Sequence, residues 1–242
     1  MDLTIPPLSD DAMTAAYDAM PRGRHGKLEG LALWLAGVQG TSPPRALARR
    51  RVVVAGESPV GADVRAEGSY EDGLALADAE IDGGADVFVA VAPVSVRASA
   101  LVAALSGAEP VEVVASGAAW ARDVAEVRDL LRTHRGAGPA DLVQALGFPA
   151  LTGLLVGAAR RRTPVVLDGL APCAAALAAE TLAPLAVTYF VAGHVTPHPG
   201  HRRALEKLAL EPLLDLGIRA DGGALLALPL LDAAVALVRE ED

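Results

Sequence analysis

The sequence predicts a three-layer α/β protein with a parallel sheet, because short apolar runs alternate with helical segments. The run over 164–167 ends at Asp168 and Gly169, an Ala-rich helical segment follows, and a second run over 186–192 precedes His194. Strand, helix and strand repeating at about 20 residues is the pattern of parallel strands joined by crossover helices. Ligands bind beyond the carboxyl ends of such strands, so Asp168 and His194 are candidate site residues.

The composition favours one large domain, or one domain with a small appendage. Of its 242 residues 52% are hydrophobic and 21% are charged, which suits a large buried core. The net charge of −9 argues against non-specific nucleic-acid binding, which needs a basic surface. Apolar stretches fall short of the roughly 18 residues of a membrane span, and the first residues resemble no secretory signal. We therefore expect a cytoplasmic protein without a membrane segment, in which the single Cys173 is a buried apolar residue rather than a reactive thiol.

The N-terminal half is predicted to contain two strands among helices. Leu28, Leu31, Leu35 and Val38 recur at three- and four-residue steps, which predicts a helix beginning at Lys27. The predicted elements are helices over 10–20 and from 27 to about 40, a strand over 52–56, a loop over 58–69, a helix over 70–82 and a strand over 86–91.

The C-terminal half continues the alternation and contains three histidines within eight residues. His194, His198 and His201 suggest a metal site, but Pro197 and Pro199 prevent one helix from aligning them, so we favour neutral imidazoles and predict no metal. The predicted elements are helices over 99–105, 119–134, 140–146 and 151–162, a strand over 164–168, a helix over 171–182, a strand over 187–192, and helices over 199–208 and 224–239.

Several segments, matching in order, resemble the nicotinate-nucleotide:dimethylbenzimidazole phosphoribosyltransferases, which make the lower-ligand nucleotide of cobalamin. The segments that carry the resemblance are 26–29, 34–40, 164–169, 193–194, 199–201, 211–219 and 223–231. The resemblance implies a Rossmann-like α/β domain over 49–223, a small helical subdomain from 1–48 and 224–242, and a homodimer with its active site near the subunit boundary. It implies no cofactor. The residues it places at the substrate are Asp168, Gly169, His194, Asp215, Arg219, Gly222, Gly223 and Arg97.

The sequence departs from the family pattern where the chemistry takes place. The family reaction displaces nicotinate from a ribose by an aromatic nitrogen, which needs a carboxylate base and donors for the phosphate. The family's glutamate base is missing from the short loop that contains Asp221, which leaves Asp221 or Glu57 as substitutes. The segment 90–97 replaces a glycine-rich phosphate turn with Pro93 and valines, and Asp123 stands where the family has a lysine. The family has a long segment that helps to wall the aromatic base. In this chain that segment is largely absent, and residues 60–68 stand in its place.

Two functions follow from these residues. The first is an active phosphoribosyltransferase, with Asp221 or Glu57 as base and Arg97 as phosphate partner, acting on an aromatic base. The second is a non-catalytic relative that keeps the fold and binds a small nucleotide or aromatic base, either as a sensor or beside a paralogue. Because the departures affect several separate parts of the site, we favour the second.

Overall fold

Six parallel strands form the centre of the structure, a computed structural model that describes residues 4–20, 23–219 and 221–238. The order across the sheet is β2-β1-β3-β4-β5-β6, and every neighbouring pair is parallel. The strands are β1 Arg50–Val54, β2 Val64–Arg65, β3 Val87–Val91, β4 Val165–Asp168, β5 Phe190–His194 and β6 Pro212–Leu214. The predicted parallel α/β sheet is therefore confirmed.

The central strands are the ones that the sequence indicates most clearly. All residues of β3, β4 and β5 are buried, and a strand covered on both faces is apolar along its whole length. The edge strands escape this signal because they are short and half exposed. Val64 pairs with Val53 inside a segment predicted to be a loop, and Leu214 pairs with His194.

One predicted strand begins too early. The segment Ala186–Tyr189 is a 3-10 turn, and β5 starts only at Phe190. The carbonyl of Thr188 accepts a hydrogen bond from Nε1 of Trp34 at 2.7 Å, so this backbone serves a helix contact instead of the sheet. The prediction of a strand over 187–192 was wrong at its first residues.

Ten helices surround the sheet in the part of the chain that the structure describes. They are α1 Asp10–Ala19, α2 Lys27–Gln39, α3 Tyr70–Asp82, α4 Val96–Ser106, α5 Trp120–Thr133, α6 Pro139–Leu146, α7 Pro149–Arg160, α8 Leu170–Leu182, α9 Pro199–Leu208 and α10 Leu228–Leu237. Helix α4 starts three residues before the predicted position, because the Ser95 hydroxyl caps it by accepting from the amide of Ala98 at 3.1 Å. A 3-10 turn over Gly223–Ala227 precedes α10, and the predicted helix end at Arg239 lies outside the described residues.

The two faces of the sheet are covered by different helices, which gives the three layers. On β3, Val87, Val89 and Val91 pack with apolar residues of α1, α2 and α10, whereas Phe88 and Ala90 pack with those of the remaining helices. This alternation follows from the period of two along a strand. Helices from both chain ends thus share one layer, while their predicted separation as a subdomain over 1–48 and 224–242 stays a prediction. None of the described helices has the length and apolar character that crossing a membrane requires.

Helices α3 and α7 approach each other closely through glycines. A Cβ atom added at Gly73 would overlap the carbonyl oxygen of Ala150, and one added at Gly153 would overlap that of Tyr70. Because backbone atoms, and not flexible side chains, occupy the space, no local rearrangement can relieve the overlap. The absence of a side chain at both positions sets the distance between these helices.

We therefore expect Gly153→Ala to lower the free energy of unfolding by about 3 kcal/mol, the upper end of overpacking effects, in urea denaturation. Gly30→Ala is the matched control, since Gly30 is a helical glycine with open space around it. That control is expected to raise stability by up to about 1 kcal/mol. Equal effects of the two substitutions would contradict the close approach of α3 and α7.

Candidate ligand-binding site

A cavity of about 560 Å³ lies beyond the carboxyl ends of β3 and β5. Its size is within the range of small-molecule sites. The lining residues come from the segments after both strands, from the connection between α4 and α5, from the start of α5 and from the loop after β6. They are Val94, Val111, Val114, Ala115, Ser116, Trp120, Thr196, Pro197, His198, Pro199 and Arg219.

A second cavity of about 300 Å³ adjoins the first. The two share the residues Val94, Val114, Ala115 and His198, so we call them the large lobe and the small lobe of one site. The small lobe is completed by Ser95, Val96, Ser99 and Asp123. Arg219 thus lines the large lobe, and Asp123 lines the small one.

The buried carboxylate of Asp168 ties the loop before α10 to the end of β4. It accepts hydrogen bonds from the backbone amides of Gly222 and Ala224, the latter at 3.2 Å, and its Oδ1 lies 3.2 Å from Nδ1 of His194. Burial raises the pKa of Asp168, although both amides and His194 act in the opposite direction. With its oxygens occupied by the protein, Asp168 positions the loop.

The ring of His194 packs against the same loop at Gly223. Its side chain is fully buried, and a Cβ added at Gly223 would lie 2.7 Å from its Nε2. Gly222 adopts a positive φ of 96°, a conformation that glycine allows at little cost. Of the two predicted glycines, Gly223 allows the close approach of His194, and Gly222 allows the left-handed backbone.

His201 and His198 complete the group of three histidines. The amide of Thr196 donates to Nδ1 of His201 at 3.1 Å, which places the ring proton on Nε2. Burial lowers the pKa of His201 to about 3, and it also lowers the pKa of His198. The three rings are not arranged around a common point: within the described residues, no group of three or more His, Cys, Asp or Glu side chains could hold a metal ion.

The two candidate bases lie outside the cavity lining. The hydroxyl of Ser58 donates to Oδ2 of Asp221 at 2.8 Å, and Asp221 is half-buried. Glu57 is exposed and lines a separate open hollow with Pro59 and Arg65. The structure thus places Asp221 and Glu57 near each other through Ser58, but not in either lobe.

The remaining predicted residues are dispersed. Arg219 lines the large lobe and is exposed. Asp215 is exposed after β6, and Arg97 lies on α4 outside both lobes. Gly169 has a φ of 84° and precedes α8 directly after Asp168. Of the predicted set, only Arg219 is a cavity wall; Asp168, His194, Gly222 and Gly223 form the support of the adjacent loop.

Sequence reasoning missed the aromatic wall. Trp120 begins α5 with 41% of its surface exposed, and Val94 and Val111 beside it are about half exposed. One available signal was the scarcity of aromatics, only 3% of the chain, which makes a tryptophan at a helix start unusual. His198, which lines both lobes, was read only as part of a histidine group.

The comparison with known protein families identifies the class of protein. A family model described as a phosphoribosyltransferase matches residues 62–242, three quarters of the chain, so this is a phosphoribosyltransferase-family protein. The particular family follows from the relatives. Nicotinate-nucleotide–dimethylbenzimidazole phosphoribosyltransferases of Mycobacterium avium (strain 104) and Mycobacterium ulcerans (strain Agy99) are 37% and 36% identical. They match 89% and 95% of this chain and 87% and 89% of their own lengths.

Solved structures give the same assignment. CobT from Thermus thermophilus superimposes with a TM-score of 0.81 at 28% identity, covering 94% of this chain and 96% of its own. A second structure, described as the phosphoribosyltransferase from the same organism, gives 0.83 at 27% identity and covers 96% of both chains. The chain belongs to the nicotinate-nucleotide–dimethylbenzimidazole phosphoribosyltransferase family, and the predicted resemblance is confirmed. The alignment with the M. avium relative spans 303 positions, so that relative has segments which this 242-residue chain lacks.

Replacing Asp168 tests its hold on the loop. Asp168→Asn leaves one carbonyl oxygen for two amides, and losing a hydrogen bond to a charged acceptor costs about 1.5–3 kcal/mol. We expect this loss in the free energy of unfolding, together with faster hydrogen exchange at the amides of Gly222 and Ala224. Asp215→Asn, which changes an exposed acid after the edge strand β6, should alter neither quantity. Unaltered exchange at both amides in Asp168→Asn would show that the loop is held by other contacts.

His201 predicts a pH dependence of stability. Its folded-state pKa of about 3 lies below the ordinary 6.5, so the unfolded chain takes up a proton that the folded chain does not. The stability that the neutral His201 contributes is fully present above pH 6.5, and it is lost as the pH falls from 6.5 towards 3. Between about pH 7.5 and pH 5.5 the wild type should lose about 1.4 kcal/mol more than His201→Asn, whose amide oxygen can still accept from Thr196. Parallel curves for the two proteins in denaturant titrations would contradict the low pKa.

Proposed function

We propose that this chain is a cobalamin-pathway family member that binds an aromatic base in the cavity without transferring ribose phosphate on its own. Transfer needs a carboxylate that takes the proton from the attacking nitrogen within hydrogen-bond reach. It also needs donors around the phosphate. The proposal follows from how this chain's own residues meet those two requirements.

The observation that carries the proposal is the position of the carboxylates. Asp221 is engaged by Ser58, Glu57 lines a different hollow, and neither is among the residues of the large lobe. A ring lying against Trp120 therefore has no described carboxylate beside it in that lobe. His198 lines the lobe, but its pKa is lowered and its Nδ1 is buried without a partner among the described residues.

The small lobe also provides few hydrogen-bond donors for the phosphate of a nucleotide. The small lobe contains the segment that resembles the family's phosphate turn, and there Val94 and Val96 carry side chains where glycines would expose amides. The Ser95 hydroxyl already accepts from the amide of Ala98. Asp123 adds a negative charge, and Arg97 lines neither lobe.

The large lobe retains features that favour a flat apolar ring. Trp120, Val94 and Val111 are exposed around it, although large apolar side chains in this chain are otherwise mostly buried. Exposed apolar groups that line a concave site are typical of ligand pockets. An aromatic base would cover them and stack on the indole.

The assembly and location of the protein belong to the proposal as well. A homodimer, or a complex with a paralogue, would cover apolar residues such as Leu226, which is 54% exposed in the turn before α10. The cytoplasm, where a cobalamin-pathway substrate would be met, stays our prediction for its location.

The purified chain is expected to convert nicotinate mononucleotide and dimethylbenzimidazole at least about 100-fold more slowly than the M. avium relative assayed beside it. That factor is the lower end of what a missing general base costs. Turnover within about tenfold of the relative would refute the proposal in favour of an active transferase. In that event Asp221→Asn would distinguish the bases: loss of turnover would identify Asp221, and unchanged turnover would direct attention to Glu57.

Binding is measured separately through tryptophan fluorescence. Trp120 lines the cavity, whereas the other tryptophan, Trp34, is bonded to Thr188 away from it. Dimethylbenzimidazole should change the emission of the wild type saturably and leave that of Trp120→Phe unchanged. A response that persists in Trp120→Phe would place the ligand elsewhere.

A further inference from the structure

The small lobe has a charge opposite to the one that a phosphate site requires. Among its lining residues Asp123 is the only charged side chain, while the other polar ones are Ser95, Ser99 and His198. Burial lowers the pKa of His198, so its ring supplies no positive charge at neutral pH. The formal charge on the described wall of this lobe is therefore negative.

The charge of Asp123 is only partly compensated. Arg122 contacts one oxygen of the carboxylate, with Nη2 at 2.9 Å from Oδ1 and Nε at 3.0 Å from the same atom. The arginine side chain is 76% exposed and lies outside the lobe lining, whereas that of Asp123 is only 23% exposed. Exposed ion pairs are weak and screened by salt. Oδ2 has no partner among the described residues, so it is available to a ligand.

The start of α4 is the one feature of the described lobe wall that would attract an anion. A helix N-terminus carries about half a positive charge, and its effect falls off within the first turn. Here the cap residue Ser95 already satisfies the amide of Ala98, and the amide of Ser99 is bonded to the carbonyl of Ser95. The carboxylate of Asp123, whose charge Arg122 compensates only in part, therefore outweighs the remaining partial charge.

We infer that the small lobe accepts a cationic or hydrogen-bond-donating nitrogen group of an aromatic ligand and rejects a phosphate. The inference rests on the proposed function, because it names the chemical class of ligand that the same cavity takes. The nitrogen group would donate to Oδ2 of Asp123 while its ring extends through the shared wall of Val94 and His198 towards Trp120. Aromatic amidines and amines are the class that meets these conditions.

Benzamidine and benzoate test the inference, because they have nearly the same planar shape and opposite charges at neutral pH. In calorimetric titrations of the full chain we expect benzamidine to bind about tenfold more tightly to the wild type than to Asp123→Asn, the effect of one charge-assisted hydrogen bond. Benzoate should bind no worse to the variant than to the wild type. Glu126→Gln, which removes the same charge from an exposed position of α5 outside both lobes, is the matched control and should leave both affinities unchanged.

Three outcomes would overturn the inference: no saturable binding of benzamidine, equal weakening by Asp123→Asn and Glu126→Gln, or tighter binding of benzoate than of benzamidine to the wild type. Thermal unfolding of each variant shows whether it is folded. Should Asp123→Asn unfold, Asp123→Glu takes its place, and the charge that it keeps should preserve the preference for benzamidine over benzoate. The proposed function fails on a different result, which is turnover of nicotinate mononucleotide or the absence of a dimethylbenzimidazole response at Trp120.

Discussion

The buried carboxylate of Asp168 accepts hydrogen bonds from two backbone amides, and the rest of the site depends on this interaction. Asp168 ends β4 in the middle of the sheet, where its backbone pairs with Val91 of β3. The loop it holds connects Arg219 of the cavity wall with the 3-10 turn before α10. A single carboxylate therefore links the sheet, one wall of the cavity and the C-terminal helix layer. Its burial has a cost, which the amides of Gly222 and Ala224 and the neighbouring His194 offset only in part.

The order of the strands explains why the cavity lies where it does. Strands β3 and β5 flank β4, and the chain leaves their carboxyl ends in the segments that contain Val94 and Thr196. Between these departures lies a crevice of the kind that parallel sheets offer to ligands. The α5 helix closes it with Trp120. The crevice follows from the fold, whereas the chemistry of its walls depends on the side chains of the loops that line it.

The sequence predicted most of the fold because burial on both faces gives an unmistakable pattern. The central strands β3 and β4 were found for this reason, and so were helices with clear periodicity. The edge strand at Val64 and the 3-10 turn at 186–189 were not, since a two-residue ladder and a hydrogen bond from Trp34 leave no periodic signal. In the site, Asp168 and His194 were recognised as the residues that end apolar runs. The walls formed by Trp120 and His198 depend on which loops meet in space, and one sequence contains no pattern for that.

The demands on Asp168 and His194 also bear on how function is inferred across this family. Both residues contact the loop and hold it against the sheet, and these contacts do not depend on any reaction beside it. A family member that has lost its chemistry would still be under selection to keep them, as long as it needs a cavity. Their structural role in this chain means that their presence alone does not indicate turnover. Catalytic members are better identified by side chains that enter the cavity and contribute nothing to stability.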